Sequence, residues 1–441
     1  MRAKPTERQT HGALSMAQML TTTRDRAERL NRQDSPDRDR TTRTDRAVER
    51  AARDSYGRLL AYLAVRSQDI AACEDALAYA FCAALQHWPR TGVPRTPEAW
   101  LLSTARNRLK DHVRRTQTER DAVNTLLLLA EGRDSASCDH RLELLFACAH
   151  PAIAEADRTP LMLQVVLGLS AEAIARSFLV SESAMAKRLV RAKRKIKHAR
   201  IPFELPSPDQ WRPRVDAVLD AIYASYGRSW DHGVAPDPDV SDLCSEAIHL
   251  AELVTEALPD EPDALALRSL LLFCEARADA RWDDERGFVA LDAQDTRRWD
   301  HAKIEHAERL LRRAGERPTF GRYSLEAAIQ SCHVATLRDG VDTKREVVTL
   351  YRALYRRCPT VGAWLGLVSA TAEVDGPERA LALLDQRPAA ESHQPTWALR
   401  AELCRRLGRR KDAENAYRRA INATQDERVR SWLLRRQRKR E

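Results

Sequence analysis

The residues best placed to do chemistry form a short run in the middle of the chain. Ser181, Glu182 and Ser183 are followed by Lys187, Arg188, Arg191 and Arg194. Helical side chains three and four positions apart share a face. The spacing therefore lines up the cations and leaves hydroxyl and carboxylate groups at the N-terminal tip. The chemistry this suits is recognition. A helix tip can enter a major groove while basic side chains along the helix meet phosphates. Glu can accept from a cytosine amino group, and Ser can donate or accept. A basic run alone is most often a solvated face, so the elements around it decide the reading.

Those elements have the required punctuation between about Asp157 and Lys197. Gly168 ends one helix. Ser170 caps the next, whose Ile174 and Ala175 face inward. Phe178, Leu179 and Val180 make an apolar turn. Ser181 caps a third helix, with Met185, Leu189 and Ala192 on its core side and Lys193, Lys195 and Lys197 extending the basic face. This is the spacing of a helix-turn-helix.

A second set of polar groups lies upstream, in segment 47–115. Tyr56, Leu59, Leu60, Leu63 and Ala64 form one helix stripe. Asp69 caps a second helix running to about Trp88, and Pro89, Gly92, Pro94 and Pro97 impose a loop. A third helix starts near Pro97 and carries Trp100, Leu101 and Ala105 on one side. Arg106, Asn107, Lys110 and Arg114 lie along it, and such a row can line a channel for a nucleic-acid strand. Trp100 suits either the core or a stacked base. Asp111 would repel phosphate and is expected to orient neighbouring arginines.

Catalytic motifs are missing: there is no Gly-rich phosphate loop, no HExxH and no GxSxG. The histidines lack ligand spacing, and His150 is expected to be structural. The carboxylates of WDDERG (282–287) and LDAQD (291–295) are expected to order loops rather than to bind a cation or catalyse. The nine cysteines have no CxxC pair, which fits reduced thiols without a disulfide frame or zinc site. No cofactor or metal is expected. The net charge of +9 suits a polyanionic partner. No run reaches the ~18 apolar residues of a membrane span, and the first residues lack a signal-peptide core. A cytoplasmic protein without a membrane partner is expected.

The 441 residues divide further. The polar segment 1–46 is expected to be a disordered tail, and 116–138 a linker. Segment 139–200 holds the helix-turn-helix, and prolines from Pro202 to Pro213 close it off. The remainder, about 205–441, reads as helical. Trp364 and Trp397 are 33 apart, as are Ala380 and Ala413, and Gly376 and Gly408 are 32 apart. A period near 34 is that of tetratricopeptide helix pairs.

Taken in order, these motifs resemble a bacterial RNA polymerase sigma factor of the sigma-70 family. The type is the extracytoplasmic-function one, which keeps only regions 2 and 4, in the subgroup with a tetratricopeptide-like C-terminal extension. Glu74-Asp75 fit the acidic pair of region 2.2. Ala105-Arg106-Asn107 with Asp111 and Arg114 fit the end of region 2. Ala173-Ile174-Ala175 and Arg188 to Ala192 fit region 4. The likeness extends over about 47–435.

The resemblance implies an all-α fold of two small sigma domains followed by a helical repeat domain. It implies that Glu74 and Asp75 meet the β′ coiled coil of core RNA polymerase, and that region 4 also meets the β flap. It implies that Arg106, Asn107, Lys110 and Arg114 act at the −10 element. Ser181, Glu182, Ser183, Lys187, Arg188, Arg191 and Arg194 would act at −35. The chain would not be an enzyme, and a regulatory protein could dock on the C-terminal domain. The competing expectation is a helix-turn-helix and repeat scaffold that regulates transcription without binding polymerase. The region 2 helices separate the two, because such a regulator has no need of them.

Overall fold

The computed structural model describes residues 36–116, 139–231, 238–283, 287–317, 320–387, 393–424 and 426–438. The tail 1–35 and nearly all of the expected linker, 117–138, lie outside the described residues. The fold is all-α, with 18 helices and one two-residue hairpin among the described residues. The chain divides into two compact units, Met1–Ser225 and Tyr226–Glu441.

In the first unit, α1 (Pro36–Ser67), α2 (Ile70–Thr91) and α3 (Pro97–Thr116) pack on one another. Helix α1 begins before the expected start at 47. The expectation of disorder through residue 46 is thus corrected for 36–46. The physical reason lies in Thr44 and Asp45, which are buried one turn ahead of Val48. Average polarity does not register two polar side chains that a fold encloses.

Asp69 caps α2 as expected, its carboxylate accepting from the Ala72 amide at 3.1 Å. The helix then continues to Thr91, past the expected stop at Trp88. Pro89 sits in its last turn, with buried Trp88 anchoring the end and Gly92 (φ 86°) donating to the Trp88 carbonyl. Ser55 and Arg58 of α1 both bond the Glu98 carboxylate at the start of α3.

Helices α4 (Arg141–Cys148), α5 (Glu155–Val165), α6 (Ala171–Ser177) and α7 (Glu182–His198) complete the unit's core, ahead of α8 (Pro208–Asp231). From Leu59 to Ala64 every residue of α1 is buried, not only one stripe. A helix buried all round is enclosed from several sides. Helix α4 supplies the extra cover and is itself buried nearly all round, from Arg141 to Cys148 apart from the half-buried Glu143.

The second unit runs through α9 (Pro238–Ala257), α10 (Pro262–Glu275), the hairpin β1 (Trp282–Asp283) and β2 (Gly287–Phe288), then α11 (His301–Gly315), α12 (Arg322–Asp339) and α13 (Lys344–Arg357). It continues through α14 (Val361–Val374), α15 (Pro377–Leu384), α16 (Gln394–Arg406), α17 (Arg410–Ala423) and α18 (Glu427–Arg438). Neighbours in sequence are mostly neighbours in space. The positions 32 and 33 apart correspond structurally. Gly376 and Gly408 both take left-handed φ at the turns into α15 and α17, and Ala380 and Ala413 are both buried inside those helices.

The hairpin pairs Trp282 with Phe288. Helix α18 folds back onto it: Trp432 meets Phe288 edge-on at 5.8 Å, and Arg428 lies 5.5 Å from the Trp282 ring. Of the carboxylates nearby, Asp295 orders a loop, accepting from the Arg297 amide at 3.0 Å and pairing with its guanidinium. Those Arg297 hydrogen bonds hold the Asp295 carboxyl down to about 2. Residues 284–286 of WDDERG lie outside the described residues.

Candidate nucleic-acid interface

Helices α6 and α7 are set by the two serines read from the sequence. Ser170 Oγ accepts from the Ala173 amide at 3.0 Å, and Ser181 Oγ from the Ala184 amide at 3.3 Å. Each satisfies a backbone donor that the helix leaves unpaired. Gly168 (φ 67°) ends the turn after α5. Ile174, Ala175, Met185, Leu189, Ala192 and Ile196 form the buried side that holds α6 and α7 together.

That packing leaves Ser181, Glu182, Ser183, Lys187, Arg191 and Arg194 exposed. Glu182 opens α7, where its charge suits the positive end of the helix dipole. Arg188 differs from its neighbours. It is half-buried, donating from Nε to Asp157 at 2.7 Å and from its terminal nitrogen to the Ala156 carbonyl. It ties α7 to α5.

Between α6 and α7, Leu179 stands 93% exposed with φ 53°. A left-handed backbone is unusual for a residue with a branched side chain, and so is such exposure for leucine. Sequence reading registered it only as part of an apolar turn.

On α3, Asn107 and Arg114 are exposed and Arg106 and Lys110 half-buried, so the row shares the helix's outer side. Asp111 lies 4.0 Å from Arg114, both side chains being exposed. Trp100 is half-buried and meets fully buried Trp88 edge-on at 5.5 Å.

The acidic pair divides. Asp75 is exposed, whereas Glu74 accepts two hydrogen bonds from Lys193 Nζ, at 2.8 and 2.6 Å. Burial pushes the Glu74 carboxyl up, and Lys193 opposes that shift. One turn further along α7, Lys197 Nζ reaches Asp69 at 2.6 Å. These pairs join residues 119 and 128 positions apart. Periodicity could not reveal them, although two cations four apart on α7 facing acids five apart on α2 were in view.

His150 Nδ1 accepts from the Ala152 amide at 3.1 Å, a turn bond of structural kind. No group of three or more candidate metal ligands occurs among the described residues. No helix of the described residues is long and apolar enough to cross a membrane.

Comparison with known proteins agrees with this geometry. Residues 52–119 match sigma-70 region 2, from within α1 through α3, and 144–196 match sigma-70 region 4, from within α4 into α7. Residues 214–315 match a family of unknown function, DUF6596. An uncharacterized protein of Rhizobium meliloti (strain 1021) is 37% identical over 390 residues, covering 86% of this chain and 91% of its own length. No solved structure gives a significant match. The chain belongs to the sigma-70 family, as an extracytoplasmic-function-like sigma factor carrying a helical C-terminal extension.

Proposed function

We propose that the chain binds core RNA polymerase, recognises −35 and −10 promoter elements and starts transcription in the cytoplasm. The observation that carries this reading is the capped helix-turn-helix with an exposed cationic face, set behind residues that match region 2. Ser181, Glu182 and Ser183 read base edges at −35, while Lys187, Arg191 and Arg194 hold phosphates. Arg188 serves the same face once it leaves Asp157, and otherwise supports it. Arg106, Asn107, Lys110 and Arg114 guide the strand opened at −10. Glu74 and Asp75 meet the β′ coiled coil, and region 4 meets the β flap. Polymerase performs the chemistry, and this subunit chooses the promoter.

The extension is a tetratricopeptide-like regulatory array. The left-handed glycines at equivalent turns of α14–α15 and α16–α17 support that reading. Stacked helix pairs offer a concave surface to a regulatory protein.

Co-purification with core polymerase and transcription from a supercoiled promoter library test the proposal. Binding with defined start sites is expected. Failure to bind core would leave the scaffold-regulator reading in its place.

A further inference from the structure

Positive charge is not spread evenly over the chain. From Gln394 to Glu441 the sequence holds 15 Lys and Arg against 6 Asp and Glu. That surplus of nine equals the net charge of the whole protein, so the residues before Gln394 are balanced overall. Part of the surplus holds the fold. Glu402 takes Arg405, Arg406 and Arg436, Asp385 takes Arg400, and Arg419 lies 4.5 Å from the Trp397 ring. Another group of cations is not used in this way. Arg409, Arg410, Lys411 and Arg418 at α17, with Arg435 and Arg438 on the neighbouring α18, are exposed, and none has a carboxylate partner among the described residues. Arg418 donates instead to the Asn415 side chain at 3.0 Å.

Their placement does not serve stability. Arg409 holds the N-cap position of α17 without a side-chain cap bond, and Arg410 and Lys411 follow in the first turn beside a single acid, Asp412. Cations at this end of a helix oppose its dipole. Further along, Lys411, Asn415, Arg418 and Asn422 recur at four, three and four and so share one side of α17. That side lies opposite buried Ala413, Ala416, Tyr417 and Ala420. No large apolar residue is exposed from Gln394 onward among the described residues. A protein partner meets an apolar centre depleted of charge, whereas nucleic-acid interfaces are polar and strongly positive. A single strand also needs open aromatic faces for its bases. Here Trp397 lies under Arg419, and Trp432 packs on Phe288 with Arg436 5.1 Å from its ring. The chemistry left to this surface is the backbone of a duplex.

We propose that α17 and α18 carry a second DNA-binding surface, separate from the helix-turn-helix, which holds the backbone of duplex DNA without reading its bases. Lys411, Arg418, Arg435 and Arg438 neutralise phosphates, and Asn415 and Asn422 donate to phosphate oxygens beside them. The choice of DNA over duplex RNA rests on the sigma-factor reading, while the surface itself does not. Each phosphate neutralised releases condensed counterions, so this binding falls steeply as salt rises. The surface adds affinity for DNA of any sequence and leaves promoter choice to regions 2 and 4.

The test measures binding of the full-length protein to a short fluorescent DNA duplex of arbitrary sequence, by anisotropy across a salt series. The starting protein carries Lys187→Ala/Arg191→Ala, so that region 4 contributes less. Adding Lys411→Gln/Arg418→Gln/Arg435→Gln/Arg438→Gln should weaken binding roughly tenfold or more and lower the slope of log affinity against log salt by about 2 to 4. Arg418→Lys/Arg435→Lys/Arg438→Lys should keep the affinity within about twofold, because a phosphate accepts either cation. The melting temperature should not fall in either variant, and Arg410→Gln/Lys411→Gln alone should raise it while weakening binding. Unchanged DNA affinity in the four-glutamine variant overturns the proposal. A loss seen only with an RNA duplex of the same sequence, or only with phosphatidylserine vesicles, overturns it too. A loss that the lysine variant shares, with a lower melting temperature, makes these arginines structural and has the same effect. If no form binds core polymerase, the proposed function fails, and the duplex titration still decides whether this surface exists.

Discussion

Arg188 and its neighbours show how one helix face divides its labour. Arg188→Ala should weaken promoter binding and also lower thermal stability, because the α5–α7 tie to Asp157 is lost. Lys187→Ala and Arg191→Ala, both exposed, should leave the melting temperature unchanged. Each should reduce the slope of log affinity against log salt by about 1, as the loss of one phosphate contact does. Salt titration of promoter binding beside calorimetry separates the two classes. Leu179 invites a different experiment. Its left-handed backbone suits asparagine better than leucine, and its side chain is nearly all in water. Leu179→Asn should raise stability by a few tenths of a kcal/mol to about 1 kcal/mol, seen as a higher denaturant midpoint. A lower midpoint would show that the leucine packs against something.

The helices show which parts of the fold their own residues announce. The caps at Asp69, Ser170 and Ser181, the start at Pro97 and the turns at Gly376 and Gly408 were legible, because a cap or a left-handed turn is specified within a few residues. Ser181→Ala should cost about 1 kcal/mol and loosen the first turn of α7, which denaturation and promoter binding can both register. The start of α1 at Pro36, the passage of α2 through Pro89 and the engagement of Glu74 were not legible. Each depends on what lies opposite: enclosure of Thr44 and Asp45, the anchoring of Trp88, and a lysine 119 positions away. One distant signal was present. A glycine inside a helix marks close approach of another backbone, and Gly57 of α1 meets Val166.

At the scale of the whole molecule, the two units answer to different stresses. In the second, burial and the nearby Arg277 guanidinium lower the His333 imidazole to about 4. Its unfolded counterpart titrates near 6.5. Between these values the unfolded chain binds the extra proton, so stability falls as pH falls from about 6.5 towards 4. It is fully present above that window. The full effect is on the order of 3 kcal/mol, and His333→Gln should flatten this part of the pH profile of unfolding. The first unit should lack this contribution, since His333 is not part of it.

The clasp of α18 on the β1–β2 hairpin has a consequence for how the protein is born. Phe288 emerges from the ribosome about 140 residues ahead of its partner Trp432, an interval on the order of 10 s at ordinary elongation rates. Throughout that interval the hairpin's aromatic face waits without its cover, while the sigma regions, synthesised earlier, already have every residue they need to fold. The second unit therefore completes this clasp only once α18 has been synthesised, and a nascent chain passes through a stage in which the sigma regions have all of their residues while the extension still lacks part of its own.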